Sequence, residues 1–213
     1  MGDLPKRFSP LNAIVDVDAA SRAGWQPVAL ADAYLRGGAR FLQLRAKQMS
    51  SRDCLATATA IAARTRASGA ILIVNDRADI ARLAQADGVH VGQDDLSPQD
   101  VRSVVGADMI VGLSTHTVEQ IDAAVRHPVD YVAVGPVFGT TTKTTGYEAI
   151  GLDLVRQAAE RAHARGLPLV AIGGITLDRA ASVLAAGADS VAVIGDLLTN
   201  NDPERRVREY LRL

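Results

Sequence analysis

Asp76 and Asp95 stand just beyond two short apolar runs, AILIVN (70–75) and GVHV (88–91). Carboxylates so placed can hold a hard divalent cation. Arg45 and Lys47 close and follow a third run, RFLQLR (40–45), and Lys143 ends the tract GTTTK beyond a fourth, DYVAVG (130–135). Such cations bind anionic oxygens, and one or two carboxylates completed by water and substrate phosphate is the usual way Mg2+ is held. Basic groups beside an Mg2+ site point to a diphosphate. Each residue alone has a plainer reading, in which Asp76 caps the following helix with Asp79 on its next turn, and Asp94 or Asp95 is surface charge. Their joint placement beside Arg45, Lys47 and Asn75 favours chemistry. A second anion site is written in AIGGIT (171–176) and VAVIGDLL (191–198), where Gly173, Gly174 and Gly195 allow backbone N–H groups to approach a monophosphate closely. Two anion sites and one metal describe an enzyme that joins a diphosphate ester to a monophosphorylated acceptor.

The elements that position these groups repeat along the whole chain. Eight short apolar runs lie at 12–17, 40–45, 70–75, 88–91, 109–114, 130–135, 168–173 and 189–194. Between them are Ala-rich segments with helical spacing, such as LDLVRQAAERAHARG, where Asp153 is expected to N-cap and Gly166 to end the helix. Ser97 with Pro98, and Asp202 with Pro203, read as further N-cap and first-turn pairs. Strand–helix alternation in eight units, without a linker or low-complexity segment, predicts an α/β fold, a (β/α)8 TIM barrel in a single domain over 1–213 with an N-terminal extension at 1–11. An open doubly wound sheet is the alternative, and no glycine fingerprint of a dinucleotide fold follows the first strand.

In such a barrel the strands' C-terminal ends form the site. Here those ends carry Gln43, Arg45 and Lys47; Asn75 and Asp76; Gln93, Asp94 and Asp95; Ser114 and His116; and Thr140 to Lys143. The opposite ends, GGAR, ASGA, QADG, ARGLP and AAGAD, are short glycine turns. His90 lies inside the fourth strand and reads as core, and His127 and His163 as helix-end or surface residues.

With 23 basic against 24 acidic residues, the chain has no electrostatic footprint for nucleic acid or an anionic membrane. Its partners are therefore expected to be small molecules. No apolar run reaches the roughly 18 residues of a membrane span, and the first residues lack the apolar core of a secretory signal. The single cysteine, Cys54, cannot form an internal disulfide, which suits a reducing, cytoplasmic setting.

QLRAK (43–47), ND (75–76), GVHVGQDDL (88–96), GLSTH (112–116), DYVAVGPVFGTTTK (130–143), AIGGIT and SVAVI together resemble the ordered motifs of the thiamine phosphate synthase family, over about residues 12 to 198. The resemblance implies a transferase that takes 4-amino-5-hydroxymethyl-2-methylpyrimidine diphosphate and a thiazole phosphate, expels diphosphate and forms thiamine phosphate. It implies that Gln43, Arg45, Lys47, Asn75, Ser114 and Lys143 bind the pyrimidine diphosphate. Asp76 and Asp95 would ligate Mg2+, and Thr140, Thr141, Thr142, Gly174 and the backbone of Ile194 and Gly195 would hold the thiazole phosphate. Arg45, Lys47 and Lys143 would stabilise the departing diphosphate. Gly195 stands where many members have serine, and Gly139 where proline is frequent. A thiazole tautomerase-like isomerase on the same barrel would not need the Mg2+ carboxylates or the diphosphate cations, and a non-catalytic phosphate sensor would bind without turnover.

Overall fold

The structure, a computed structural model, describes residues 9–139 and 148–213. Its strands are β1 (Leu11–Asp16), β2 (Phe41–Arg45), β3 (Ile71–Asn75), β4 (Gly88–Val91), β5 (Ile110–Thr115), β6 (Tyr131–Val134), β7 (Leu169–Ile172) and β8 (Ser190–Val193). Each pairs in parallel with the next, and β1 pairs with β8, closing the sheet into the expected (β/α)8 barrel. Every strand falls on one of the apolar runs, because a strand covered on both faces reads as continuous small and β-branched residues. The helices are α1 (Val17–Arg22), α2 (Pro27–Gly37), α3 (Ser51–Ser68), α4 (Ala78–Leu83), α5 (Pro98–Val105), α6 (Val118–Ala124), α7 (Gly151–His163), α8 (Leu177–Ala185) and α9 (Pro203–Tyr210), with a 3₁₀ segment at Gly195–Asn201. Among the described residues, no helix is long and apolar enough to cross a membrane.

The cap signals are mostly realised. Ser97 Oγ accepts the Asp100 N–H and Asp202 Oδ1 the Arg205 N–H, each followed by proline in the first turn. Asp153 is the exception. The helix begins earlier, at Gly151, so Asp153 falls inside the first turn and pairs with Arg156, and the N-cap position, Ile150, offers no side-chain acceptor. Cys54 is buried in α3 and free, as packing predicts.

Alternation along the strands separates two apolar layers. Outward residues pack with the helices into the main core. Inward ones, including Ile14, Phe41, Ile73, Tyr131 and Val170, fill the barrel. The Tyr131 ring lies over Gly112 of the neighbouring strand, where a Cβ would come 2.1 Å from Cζ, so only glycine fits there. Polar groups interrupt this inner core: Asn12, Gln43, His90 and Ser190 are all buried. Buried polar groups inside a barrel need partners, from the protein or a ligand.

The end opposite the strands' C-termini is fastened by a repeated device. Asp87, Asp130 and Asp189 each precede an even-numbered strand, and their carboxylates accept the N–H of Leu72, Val111 and Leu169 on the preceding odd-numbered strand, at 2.7 to 2.8 Å. The backbone N–H of each aspartate donates back to the carbonyl of that same residue.

Candidate active site

One side of the barrel mouth is charged. Asp76, the first residue beyond β3, has a left-handed backbone (φ 63°), and its N–H donates to the His90 carbonyl at 2.7 Å, extending the ladder with β4. It does not cap α4, whose N-cap position is Arg77, without a side-chain cap. Its carboxylate instead meets Lys47, with Nζ 2.5 Å from Oδ2. Burial pushes the Asp76 carboxyl above its ordinary range; Lys47 opposes this and the Asp95 carboxyl adds to it. Asp95 Oδ2 also accepts the Gly92 N–H at 2.7 Å, which ties the carboxylate to its own turn. Arg45 is held from below, with Nη1 2.5 Å from Asp16 Oδ2. The other oxygen of Asp16 accepts the Ala19 N–H at 2.8 Å, so one buried carboxylate ends β1, caps α1 and aims Arg45.

These groups surround a cavity of about 240 Å³ whose lining includes Gln43, Arg45, Lys47, Asn75, Asp76, Asp95 and Ser114. Its floor is the polar break in the barrel core, with Asn12, His90 and Tyr131. His90 reaches Tyr131 OH with Nδ1 at 2.9 Å and Ser114 Oγ with Nε2 at 2.7 Å, and its ring stacks on Tyr131 at 5.5 Å. Gln93 Nε2 donates to the Ser114 carbonyl at 2.6 Å. His90 is thus buried as expected for core, yet it lines the cavity, because position 90 falls on the inward face.

A second, larger cavity of about 400 Å³ opens beside the first, among the ends of β6, β7 and β8. Gly173, Gly174, Ile194 and Gly195 line it, together with Thr176, Arg179 and Asp196. Gly173 (φ 104°) and Gly174 (φ 61°) adopt backbone that disfavours other residues, and the loop after β6 packs directly on them. Asp196 is balanced by Arg206, which donates to both its oxygens at 3.0 Å, and Tyr210 OH donates to it at 2.7 Å. The two cavities have Ser114, His116, Ile172 and Ala192 in common. His116 Nδ1 donates to the Gly135 carbonyl at 2.5 Å, which fixes the ring on that shared wall.

Seven of the expected residues therefore line one cavity, and Gly174, Ile194 and Gly195 line the other. Thr140, Thr141, Thr142 and Lys143 lie outside the described residues. Asp16, Asn12, Tyr131, Thr176 and Arg179 escaped the sequence reading. Asp16 carried a signal, its place as the last residue of a strand, whereas Asn12 and Tyr131 become visible only once inward parity is known.

The sequence profile described as thiamine monophosphate synthase matches residues 11–197. The chain belongs to the thiamine monophosphate synthase family. Relatives agree along almost the whole length: the thiamine-phosphate synthase of Koribacter versatilis is 46% identical over 208 residues, 95% of this chain and 94% of the relative. That of Acidothermus cellulolyticus is 46% identical over 195 residues, 91% and 90% of the two chains. The solved thiamine phosphate pyrophosphorylase from Pyrococcus furiosus superposes with a TM-score of 0.84 at 29% identity, covering 95% of this chain and 93% of that one. The resemblance read from the short motifs to the thiamine monophosphate synthase family is borne out.

Proposed function

We propose that this protein joins 4-amino-5-hydroxymethyl-2-methylpyrimidine diphosphate to a thiazole phosphate, releasing diphosphate and forming thiamine phosphate, with Mg2+ held by Asp76 and Asp95. The observation that carries the reading is the pair of adjoining cavities with a shared wall, one ringed by carboxylates and cations, the other by glycine backbone. A diphosphate suits the first and a monophosphate the second.

The Asp76 and Asp95 carboxyls suit a hard divalent cation. Burial and the Asp95 carboxyl raise the cost of charge on Asp76, against the pull of Lys47. Two carboxylates leave the remaining positions to water and substrate oxygens, as Mg2+ prefers. When bound, Mg2+ neutralises negative charge on the diphosphate. The chain's own groups do the rest. Arg45, pre-aimed by Asp16, and Lys47 face the leaving group, and Lys143 joins them from the tract after β6. Their attraction strengthens as the C–O bond breaks and charge gathers on the diphosphate. The electron-rich aminopyrimidine stabilises the positive methylene left behind, and Gln43, Asn75 and Ser114 orient that ring. The thiazole nitrogen attacks across the shared wall, where orientation replaces a bimolecular encounter. Thr140, Thr141, Thr142, Gly174 and the 194–195 backbone hold its phosphate. No protein nucleophile is required. Cys54, buried and free, suits the cytoplasm, where we expect the protein to act.

The test is direct. Purified protein with Mg2+ and both substrates should form thiamine phosphate and diphosphate in equal amounts, with the carboxylated and plain thiazole phosphates assayed in turn. Absence of diphosphate release with either thiazole would overturn the reading.

A further inference from the structure

The larger cavity, among the ends of β6, β7 and β8, contains a cation. Arg179 is the single Lys or Arg among the described residues that line it. It sits in the first turn of α8, a nine-residue helix, where a positive charge opposes the helix dipole. Among the described residues its guanidinium donates to the Gly174 carbonyl at 3.2 Å and lies over the Phe138 ring at 4.9 Å, and no carboxylate is within ion-pair range. These two contacts fix the plane of the fork at the cavity edge without neutralising it. Asp196, the carboxylate of the same cavity, is already taken by Arg206 and Tyr210. Beside Arg179, the buried Thr176 hydroxyl makes no cap bond to α8, although Thr176 is its N-cap residue, and the exposed Asp178 carboxylate of the same turn draws on both Thr176 and Arg179. Gly195, at the far side, offers backbone alone.

We propose that Arg179 is the phosphate-binding cation of the thiazole pocket, closing over the acceptor's phosphate while the Thr176 hydroxyl donates to it from below. The inference rests on the assignment of the thiazole phosphate to this cavity. A dianion there gives Arg179 a direct ion pair, Thr176 a charged acceptor inside the cavity and α8 a favourable field. Anchored between a carbonyl and an aromatic face, the guanidinium loses little freedom on binding.

The experiment is a titration followed by amide NMR, using thiazole phosphate and, separately, the unphosphorylated thiazole alcohol. In the parent protein, thiazole phosphate should shift the amides of Gly173, Gly174 and Gly195. In Arg179→Ala and Arg179→Gln the same amides should shift at saturation, but with a dissociation constant raised about tenfold or more, and Arg179→Lys should recover part of the loss. The alcohol should bind all four proteins within twofold, and the KM for pyrimidine diphosphate should also stay within twofold. Unchanged affinity for thiazole phosphate in Arg179→Ala and Arg179→Gln, with the three amides still responding, overturns the role of Arg179 and leaves the cavity assignment standing. Silence of those amides in the parent protein overturns the cavity assignment and the inference with it.

Discussion

Asp76 holds a left-handed backbone that asparagine also tolerates, so Asp76→Asn isolates its charge. Its carboxyl is pushed up by burial first, then by Asp95, against the pull of Lys47. A raised carboxyl favours the protonated fold. The stability this confers is full below the unfolded carboxylate value and is lost as pH rises through the raised folded value, so at neutral pH the charge weakens the metal-free protein. Asp76→Asn should therefore melt higher than the parent without metal. Added Mg2+ should raise the parent's Tm and leave the variant's unmoved, while turnover falls about 10²-fold or more, the several kcal/mol a bound metal contributes. An equal Mg2+ response in both proteins would remove Asp76 from the metal site. Lys143 yields a kinetic counterpart: Lys143→Ala should slow the single-turnover step by about 10² to 10³, or about 3 to 4 kcal/mol, with a normal melt. A normal chemical step would make it a solvated loop lysine. The charged residues at this scale were legible because they follow strands directly. Asn12, His90 and Tyr131 were hidden by the same rule, since polar residues inside a run look like core until the inward face is known.

At the scale of elements, the loops after β6 and β7 act as one piece. Val137 and Phe138 donate to the carbonyls of Ile172 and Gly173 at 2.9 and 3.0 Å, carrying the parallel ladder past the strands' ends. A Cβ at Gly174 would come 2.5 Å from the Gly139 carbonyl, at the stem of the Thr140–Lys143 tract. Gly174→Ala should therefore disturb both loops, lowering kcat as well as raising the thiazole phosphate KM, at a cost of about 1 to 3 kcal/mol in chemical denaturation. If only the KM moves, the loops are independent. The sequence reading took the Gly-Gly pair as a ligand cradle; the pair also answers a packing demand from another loop, which local spacing could not reveal. The strand and helix pattern was readable because apolar periodicity is local. The capping of α7 was misplaced because the helix begins two residues before the aspartate expected to cap it.

The whole molecule divides its labour between two ends. The strands' C-terminal end carries the polar groups, and the opposite end is fastened by Asp87, Asp130 and Asp189. Asp87→Ala should cost about 1 to 3 kcal/mol in urea unfolding, the penalty of leaving the buried Leu72 N–H unmet, while kcat and both KM values stay within twofold. A kinetic effect would mean that strain at that end reaches the mouth. The barrel was legible as a whole because eight similar units leave few other closures, but the aspartate device required knowing which strands are neighbours. The wall common to both cavities also governs how the product is held. A molecule made by bonding the two occupants spans both, and once one half is seated the other is held at high effective concentration. Thiamine phosphate, which lacks the diphosphate, should then bind more tightly than thiazole phosphate alone and inhibit competitively against both substrates. Its departure, rather than bond formation, would set the steady-state rate, so a rapid-quench experiment should give a burst of product close to one equivalent per site.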